Sequence, residues 1–415
     1  MKNNNKSMLV QDIEKLLGSY LGQKDAEEFS SELDKSSSFI SLDDVNQADN
    51  AAKQISTSIS DGTLEREFIQ NIITFAENRI SEEYLIKLMQ DLSQLMTFNG
   101  ELAIATEICE DLITKIGGKT DYSSLEADTY LVLAKIAWSQ AYWEQSIRYV
   151  QKAYELYQMK GDYHGYAMCE NMLGTISGEQ GDVLEAYAHF GKGLECLSDI
   201  DDVSLRSMFE INLGILLNMQ GEYAKAMWNF KNALQKCIQL KDMRRIARVR
   251  HNLGMLYTKI KDYQAAVEEF DKSISISIEN GYLSNCAIGY IGKAFIYTKL
   301  NNTGLAEAFT DKALEIAYKI NDTMSIADIY KIKGMIQNDL DNFELSEEMF
   351  ENSIRLNEDF ENKFNQAECN IELSKLYEKA DNQKVAEDLK ESAMGYYNLI
   401  KAKTYIDGMI TAQSN

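Results

Sequence analysis

Small residues recur along the chain in columns with a fixed step of 40 residues. The clearest copies are the segments NMLGTISGEQGDVLEAYAHFGKGL, INLGILLNMQGEYAKAMWNFKNAL and HNLGMLYTKIKDYQAAVEEFDKSI, in which one column holds Gly174, Gly214 and Gly254. This column continues through Ala134, Ala294, Gly334 and Ser374. Three further columns of small residues begin at Ala127, Ser146 and Ala153 and keep the same step. Four such columns over seven steps indicate seven copies of one structural unit.

The spacing inside each unit predicts two helices. Residues seven apart share a helix face, so Ala186 and Gly193 belong to one stripe of small side chains that lets two helices approach closely. Larger residues alternate with the small ones. The recurring aromatic residues are Phe190, Phe230, Phe270 and Phe350 in the second helix and Tyr257, Tyr297 and Tyr377 in the first. We expect these rings to fill the space between one helix pair and its neighbour.

A tight turn is predicted between the two helices of each pair. The residues at this position are Gly181, Gly221, Lys261, Asn301, Asp341 and Asp381. Glycine, asparagine and aspartate suit the end of a helix and a tight turn, because they adopt the left-handed backbone conformation with little strain or bond to nearby backbone groups. The predicted unit is therefore helix, turn, helix.

The repeat resembles the tetratricopeptide repeat family. The resemblance is most complete in Leu253–Gly254, Tyr257, Tyr263, Ala266 and Phe270, and it covers residues 82–395. It implies an all-α fold, a right-handed superhelical solenoid of antiparallel helix pairs. The period is longer than the usual 34 residues and the usual proline is missing, which is similar to the longer-helix subclass found in bacterial regulators and peptide-binding scaffolds.

Four segments are predicted along the chain. Residues 1–60 form an N-terminal helical extension that is partly flexible, and residues 61–81 form a capping helix. Residues 82–395 form an array of about eight repeats, of which seven are regular and the first is degenerate. Residues 396–415 form a C-terminal capping helix and tail, because the last repeat of a solenoid lacks a neighbour to cover its apolar face.

Composition narrows the classes of function. Lysine and arginine number 42 against 65 aspartate and glutamate, a net charge of −23, which disfavours binding to nucleic acid or to an anionic membrane. The six cysteines are scattered without a CxxC pair, the N-terminus has no signal-peptide core, and no run is long enough to span a bilayer. We therefore expect a cytoplasmic protein with reduced thiols. Proline is absent, which stacked helices tolerate.

Motifs of catalysis are missing from the sequence. The three histidines, His164, His189 and His251, are far apart and form no HExxH motif, and there is no phosphate-binding glycine loop or nucleophile elbow. No enzyme, cofactor or metal site is predicted. An enzyme with an unrecognised site in residues 1–80 is the least favoured interpretation.

The resemblance implies that the first helix of each pair lines a concave groove. The candidate partner-binding residues on that stripe are Met168, Asn171, Met172, Met208, Ile211, Asn212, Ile215, Arg248, His251, Asn252, Met255, Ile291, Phe295 and Lys331. Methionine adapts to an imprecise apolar shape, asparagine can both donate to and accept from a peptide backbone, and Arg248 could meet an acidic group of a ligand. The competing interpretation is that the apolar residues pack against adjacent repeats and that the arginines near Arg248 pair with neighbouring acids.

These features predict a non-catalytic scaffold or adaptor that binds a peptide or helix of a partner in the groove. The alternative is a peptide-sensing regulatory protein, or the sensory module of a bacterial signalling system. The sequence leaves the partner's identity and the oligomeric state open.

Overall fold

The structure is a computed structural model, and it describes residues 8–22, 24–25, 28, 63–320 and 322–402. All regular secondary structure in the described residues is helical, which confirms the predicted fold class. The chain divides into two compact units between Ile136 and Ala137, and the second unit carries most of the predicted groove. The predicted helix at 42–57 and the closing segment after residue 402 lie outside the described residues.

The first unit contains four helices, a short 3₁₀ turn and most of a fifth helix. The helices are α1 (Met8–Tyr20), α2 (Thr63–Glu77), α3 (Glu82–Asn99), α4 (Leu102–Ile116) and α5 (Ser123–Ser139). α1 packs on α3: Ile13 and Leu17 are each 1% exposed, and the Tyr20 hydroxyl donates to Asp91 Oδ2 at 2.5 Å. The sequence suggested only weak packing here. The weak periodicity of α1 conceals two residues that are fully buried.

The second unit is a succession of antiparallel helix pairs. The helices are α6 (Trp143–Lys160), α7 (Tyr163–Glu179), α8 (Val183–Cys196), α9 (Val203–Met219), α10 (Tyr223–Gln239), α11 (Met243–Lys259), α12 (Tyr263–Glu279), α13 (Leu283–Lys299), α14 (Thr303–Lys319), α15 (Thr323–Asp339), α16 (Phe343–Asp359), α17 (Lys363–Lys379) and α18 (Gln383–Leu399). Successive first helices of a pair begin 40 residues apart, as the sequence columns predict.

Left-handed residues end the first helix of each pair. All six turn positions singled out in the sequence have positive φ, from 55° at Asn301 to 82° at Gly181. In the turn at Lys261, the amide of Asp262 donates to the carbonyl of Tyr257 at 2.9 Å, which satisfies one of the carbonyls left free at the helix end. The Asp262 carboxylate then accepts from the amide of Ala265 and caps the next helix.

The small column and the phenylalanine column meet inside each pair. A Cβ added to Gly174, Gly214 or Gly254 would lie 2.5–2.7 Å from a ring carbon of Phe190, Phe230 or Phe270 respectively. These three rings are at most 1% exposed. Glycine is therefore needed because a buried ring already occupies the space of its missing side chain. This confirms that the small column permits close helix approach.

The two ends of the second unit also touch each other. One hydrophobic cluster contains Phe190 and Phe209 from early pairs together with Ala367, Tyr397 and Ile400 from the last pair. Polar contacts accompany it at the edges of the same helices. We call this contact the seam. It involves the turns that precede α6, α8 and α10 on one side, and the α16–α17 turn and the end of α18 on the other.

Candidate functional site

The predicted stripe runs along α7, α9, α11, α13 and α15, and no residue of it is exposed. Asn171, Ile211 and Lys331 are 6%, 4% and 6% exposed, and the other eleven are partly buried. Side chains from α11 and α17, three pairs apart, meet across this face: Lys259 Nζ lies 2.6 Å from Glu368 Oε1. The stripe thus lines a narrow interior face of the second unit.

Much of the apolar part of the stripe is packed. Met168 and Met208 pack against the cluster that spans the seam, and Met255 packs against the cluster of Phe270. Ile291 and Phe295 pack against the clusters between α13 and α17, and Ile211 and Ile215 against that of Phe230. Met172 belongs to none of the hydrophobic clusters found in the described part of the chain.

The three asparagines of the stripe differ in their partners. Asn212 Nδ2 donates to Asn171 Oδ1 at 3.0 Å and to Thr175 Oγ1 at 3.2 Å, so two of the asparagines bond to each other. Nδ2 of Asn252 is buried and has no hydrogen-bond partner within the described residues. A buried donor without an acceptor costs about 1–3 kcal/mol, so Asn252 retains a capacity that Asn212 has already used.

Most of the basic cluster on α11 is paired with neighbouring groups. Arg245 contacts Asp242 and donates to Ser204 Oγ at 2.7 Å, Arg250 lies 2.8 Å from Glu269 Oε2, and the guanidinium of Arg244 lies over the ring of Tyr282. For these three arginines the competing interpretation therefore holds. It holds through an aromatic ring as well as through acids.

Arg248 differs from its neighbours on α11. Its side chain makes no hydrogen bond or ion pair with any described residue, and its charge acts on Glu179 and His251. Burial, and then the charge of Arg248, lower the pKa of His251 to about 3, so this imidazole is neutral at pH 7. His251 Nδ1 is buried without a partner in the described part of the structure. Burial raises the pKa of Glu179, and Arg248 opposes that shift.

Two glutamates of α17 close the far end of the groove with ion pairs. Glu368 lies 2.6 Å from Lys259 and 3.0 Å from Lys331, and Glu372 lies 3.2 Å from Lys299. Burial would raise the pKa of Glu368, but the two lysines outweigh it and hold that pKa well below its usual range. Lys331, predicted to meet a partner, is thus engaged by Glu368 and Asp328 of the same chain. The importance of Glu368 was not apparent in sequence, because acidic residues are abundant.

Other chemistry is sparse in the described residues. His164 bonds to Asp202 at 2.8 Å and His189 to Glu170 at 2.7 Å, which places both in local polar pairs. Within the ranges given above, no group of three or more histidine, cysteine, aspartate or glutamate side chains is arranged to hold a metal ion. None of the described helices is long and apolar enough to cross a bilayer.

The repeat is matched by a family model as well as by its geometry. Residues 205–279, which cover nearly all of α9 and α10 and the whole of α11 and α12, match the model described as Tetratricopeptide repeat. The chain is a tetratricopeptide repeat protein. The longer period and the missing proline noted in the sequence leave the helix–turn–helix unit of this family intact. The sequence matches none of the curated proteins.

Several solved structures share the fold of this tetratricopeptide repeat protein. The Rap protein complexed with Competence and Sporulation Factor is 14% identical, with a TM-score of 0.62 over 84% of this chain and 98% of that chain. The Rap conjugation gene regulator of plasmid pLS20, in complex with the Phr* peptide, is also 14% identical, with a TM-score of 0.58 over 83% and 96%. The apo form of RapI, at 14% identity, has a TM-score of 0.50 over 66% and 99%. Identities this low establish the fold alone.

Proposed function

We propose that this protein is a non-catalytic scaffold or adaptor that binds a peptide or a helix of a partner protein in the groove of its second unit. The observation that carries the proposal is a group of unsatisfied polar side chains on one turn of α11. Arg248, His251 Nδ1 and Asn252 Nδ2 have no hydrogen-bond partner among the described residues, although buried polar atoms are nearly always paired in native proteins.

A peptide supplies the groups that these side chains lack. Asn252 Nδ2 is a donor and suits a backbone carbonyl, and neutral His251 can accept or donate at Nδ1 according to its tautomer. Arg248 suits a carboxylate, so we infer that the ligand carries an acidic side chain or its own terminal carboxylate there. Met172, which lies outside the packed clusters, provides an adaptable apolar contact one pair earlier. Two of the similar solved structures hold a factor or a peptide, which supports this choice of ligand.

The test uses the groove positions that are not in the core. Ile211 is unsuitable, since a charge at a residue only 4% exposed would unfold the helix pair. Peptides retained by the immobilised protein from a host extract would be identified by mass spectrometry, synthesised, and titrated by calorimetry. We expect Met172→Glu and Arg248→Glu each to weaken binding at least about tenfold, because each replaces a favourable contact by an unpaired or repelling charge.

Matched controls lie on α6. Met159→Glu and Arg148→Glu make the same chemical changes at side chains that are 74% and 64% exposed, and they should leave the affinity unchanged. Equal affinities for the groove variants and their controls would contradict the proposal.

A second candidate is a peptide-sensing regulatory protein. The contact between the first and last pairs of the second unit favours it, because a ligand in the groove could strengthen or break that contact and so change the shape of the unit. Small-angle scattering with and without the identified peptide separates the two functions. A sensor changes its radius of gyration on binding, whereas a static scaffold does not.

A further inference from the structure

The seam joins residues that are far apart in the chain. Trp143 Nε1 donates to the carbonyl of Phe360 at 2.8 Å, across 217 residues, and Gln220 Nε2 donates to the carbonyl of Ile400 at 2.9 Å, across 180 residues. Between them, the Tyr396 hydroxyl donates to the carbonyl of Gly181 at 3.2 Å. Each of these bonds links one of the early turns to the last helix pair.

Charged and apolar contacts complete the seam. Gln180 Nε2 donates to Glu361 Oε2 at 2.7 Å, and Lys363 Nζ lies 3.5 Å from Asp182 Oδ1. The backing is apolar, since Ile400 is 2% exposed within the cluster that also holds side chains of α7, α8 and α9. The last pair is therefore seated on the early pairs, and the second unit closes on itself around the groove.

The seam is the weakest place in this closed unit. Everywhere else, consecutive pairs are joined by the backbone and share a continuous core, and the energy of a solenoid resides in those nearest-neighbour interfaces. The seam has no covalent link, and its polar part consists of three bonds to backbone carbonyls and two contacts at partly exposed side chains. Its loss leaves every neighbouring interface intact. Small changes at each pair can then add up to a wide opening.

We propose that the second unit opens at the seam, and that separation of the α16–α17 turn and the end of α18 from the early turns is the motion that admits a ligand to the groove. This goes beyond the proposed function, because it concerns access to the groove and is measured without any ligand. It also explains how a stripe with no exposed residue can still receive a peptide.

A single cysteine in the groove reports on access. Met172→Cys places a thiol on the stripe at a partly buried residue outside the packed clusters, whereas five of the six native cysteines are buried and Cys196 is partly buried. The probe is a maleimide on a polyethylene glycol chain of about 5 kDa, too bulky for a closed groove. The labelling rate, corrected for the protein without Met172→Cys, follows the fraction of open molecules when closing is faster than labelling.

The seam is weakened by two changes at once. Trp143→Phe keeps an aromatic ring but leaves the Phe360 carbonyl without its donor, and Gln220→Glu sets a carboxylate against the Ile400 carbonyl. We expect the labelling rate of the reporter to rise at least about tenfold. The matched control is Trp228→Phe with Gln239→Glu, at exposed positions away from the seam, and it should label at the parental rate.

A disulfide across the seam gives the opposite test. A Cβ at residue 181 would lie 3.2 Å from Lys363 Cβ, close to the 3.5–4.5 Å usual for disulfides, although the nearby Tyr396 hydroxyl must move aside. In the oxidised Gly181→Cys/Lys363→Cys protein, the reporter should label at least about tenfold more slowly than in the parent.

The two arms leave no ambiguous result. Parental labelling in the oxidised, locked protein would refute the proposal, because the groove would then be reached without opening the seam. Failure of the two introduced cysteines to form a disulfide would contradict the close approach itself. If the weakened variant loses cooperative thermal unfolding, the locked protein alone decides the matter.

Discussion

Replacing Gly214 by alanine directs a new methyl group at the ring of Phe230. The Cβ would lie 2.5 Å from Cε1, 2.7 Å from Cδ1 and 3.0 Å from Cζ of a ring that is 1% exposed. Such contacts force the ring or the helix to shift. Overpacking of this kind typically costs about 1–3 kcal/mol, even though alanine gains about 1 kcal/mol over glycine in helix propensity.

The chain contains its own remedy two repeats later. At the corresponding positions it has Ala294 and Thr310 in place of glycine and phenylalanine, and Thr310 is 1% exposed with its hydroxyl bonded to the carbonyl of Ala306 at 2.6 Å. Phe230→Thr alone should cost about 3–5 kcal/mol through the cavity it leaves. In that background Gly214→Ala should be neutral or stabilising by up to about 1 kcal/mol, because the clash has been removed.

Urea denaturation of the parent, both single variants and the double variant measures the coupling. We expect an interaction energy of about 2–4 kcal/mol between the two substitutions. If alanine at residue 214 costs the same free energy of unfolding in both backgrounds, the ring is not what forbids a side chain there, and the explanation of the glycine column fails.

Two further predictions concern charges in the groove. Glu368→Gln should lower the free energy of unfolding by about 2–4 kcal/mol, because it leaves Lys259 unpaired and Lys331 with only Asp328. The depressed pKa of Glu368 means that its contribution is present above about pH 4.5 and is lost on further acidification, so this variant should lose less stability than the parent in acid. The pKa of His251 is lowered from 6.5 to about 3, so the unfolded chain binds its proton first and stability falls as pH drops below 6.5. Denaturation at pH 6.5 and 5 should show an acid-induced loss about 2 kcal/mol smaller in His251→Gln than in the parent.

Each of these has a control or a contrary outcome. Glu83→Gln removes a fully exposed partner of Lys87 and should leave stability within experimental error. An equal effect of Glu83→Gln and Glu368→Gln would show that burial adds nothing to the groove pairs. Identical pH profiles for His251→Gln and the parent would show that His251 titrates normally in the folded protein.

The groove was only partly predictable from the sequence. Helical spacing placed Arg248, Asn252 and Met172 on one face, and the structure puts them on the interior stripe. The sequence could not distinguish Arg248 from Arg250, because pairing depends on whether an acid of another helix, here Glu269, lies within reach. For the same reason it offered Lys331 as a free cation, whereas Glu368, 37 residues later, holds it.

The sequence by itself determined the repeat: its 40-residue period, the left-handed turns and the glycine that faces each ring. These features arise between residues of one helix pair or of adjacent pairs, so they recur as visible columns. Only the tertiary structure decided that Trp143 meets Phe360 and that Lys259 meets Glu368. Such contacts depend on the rotation that accumulates over several pairs, and that rotation is a sum of small packing angles to which no single residue corresponds.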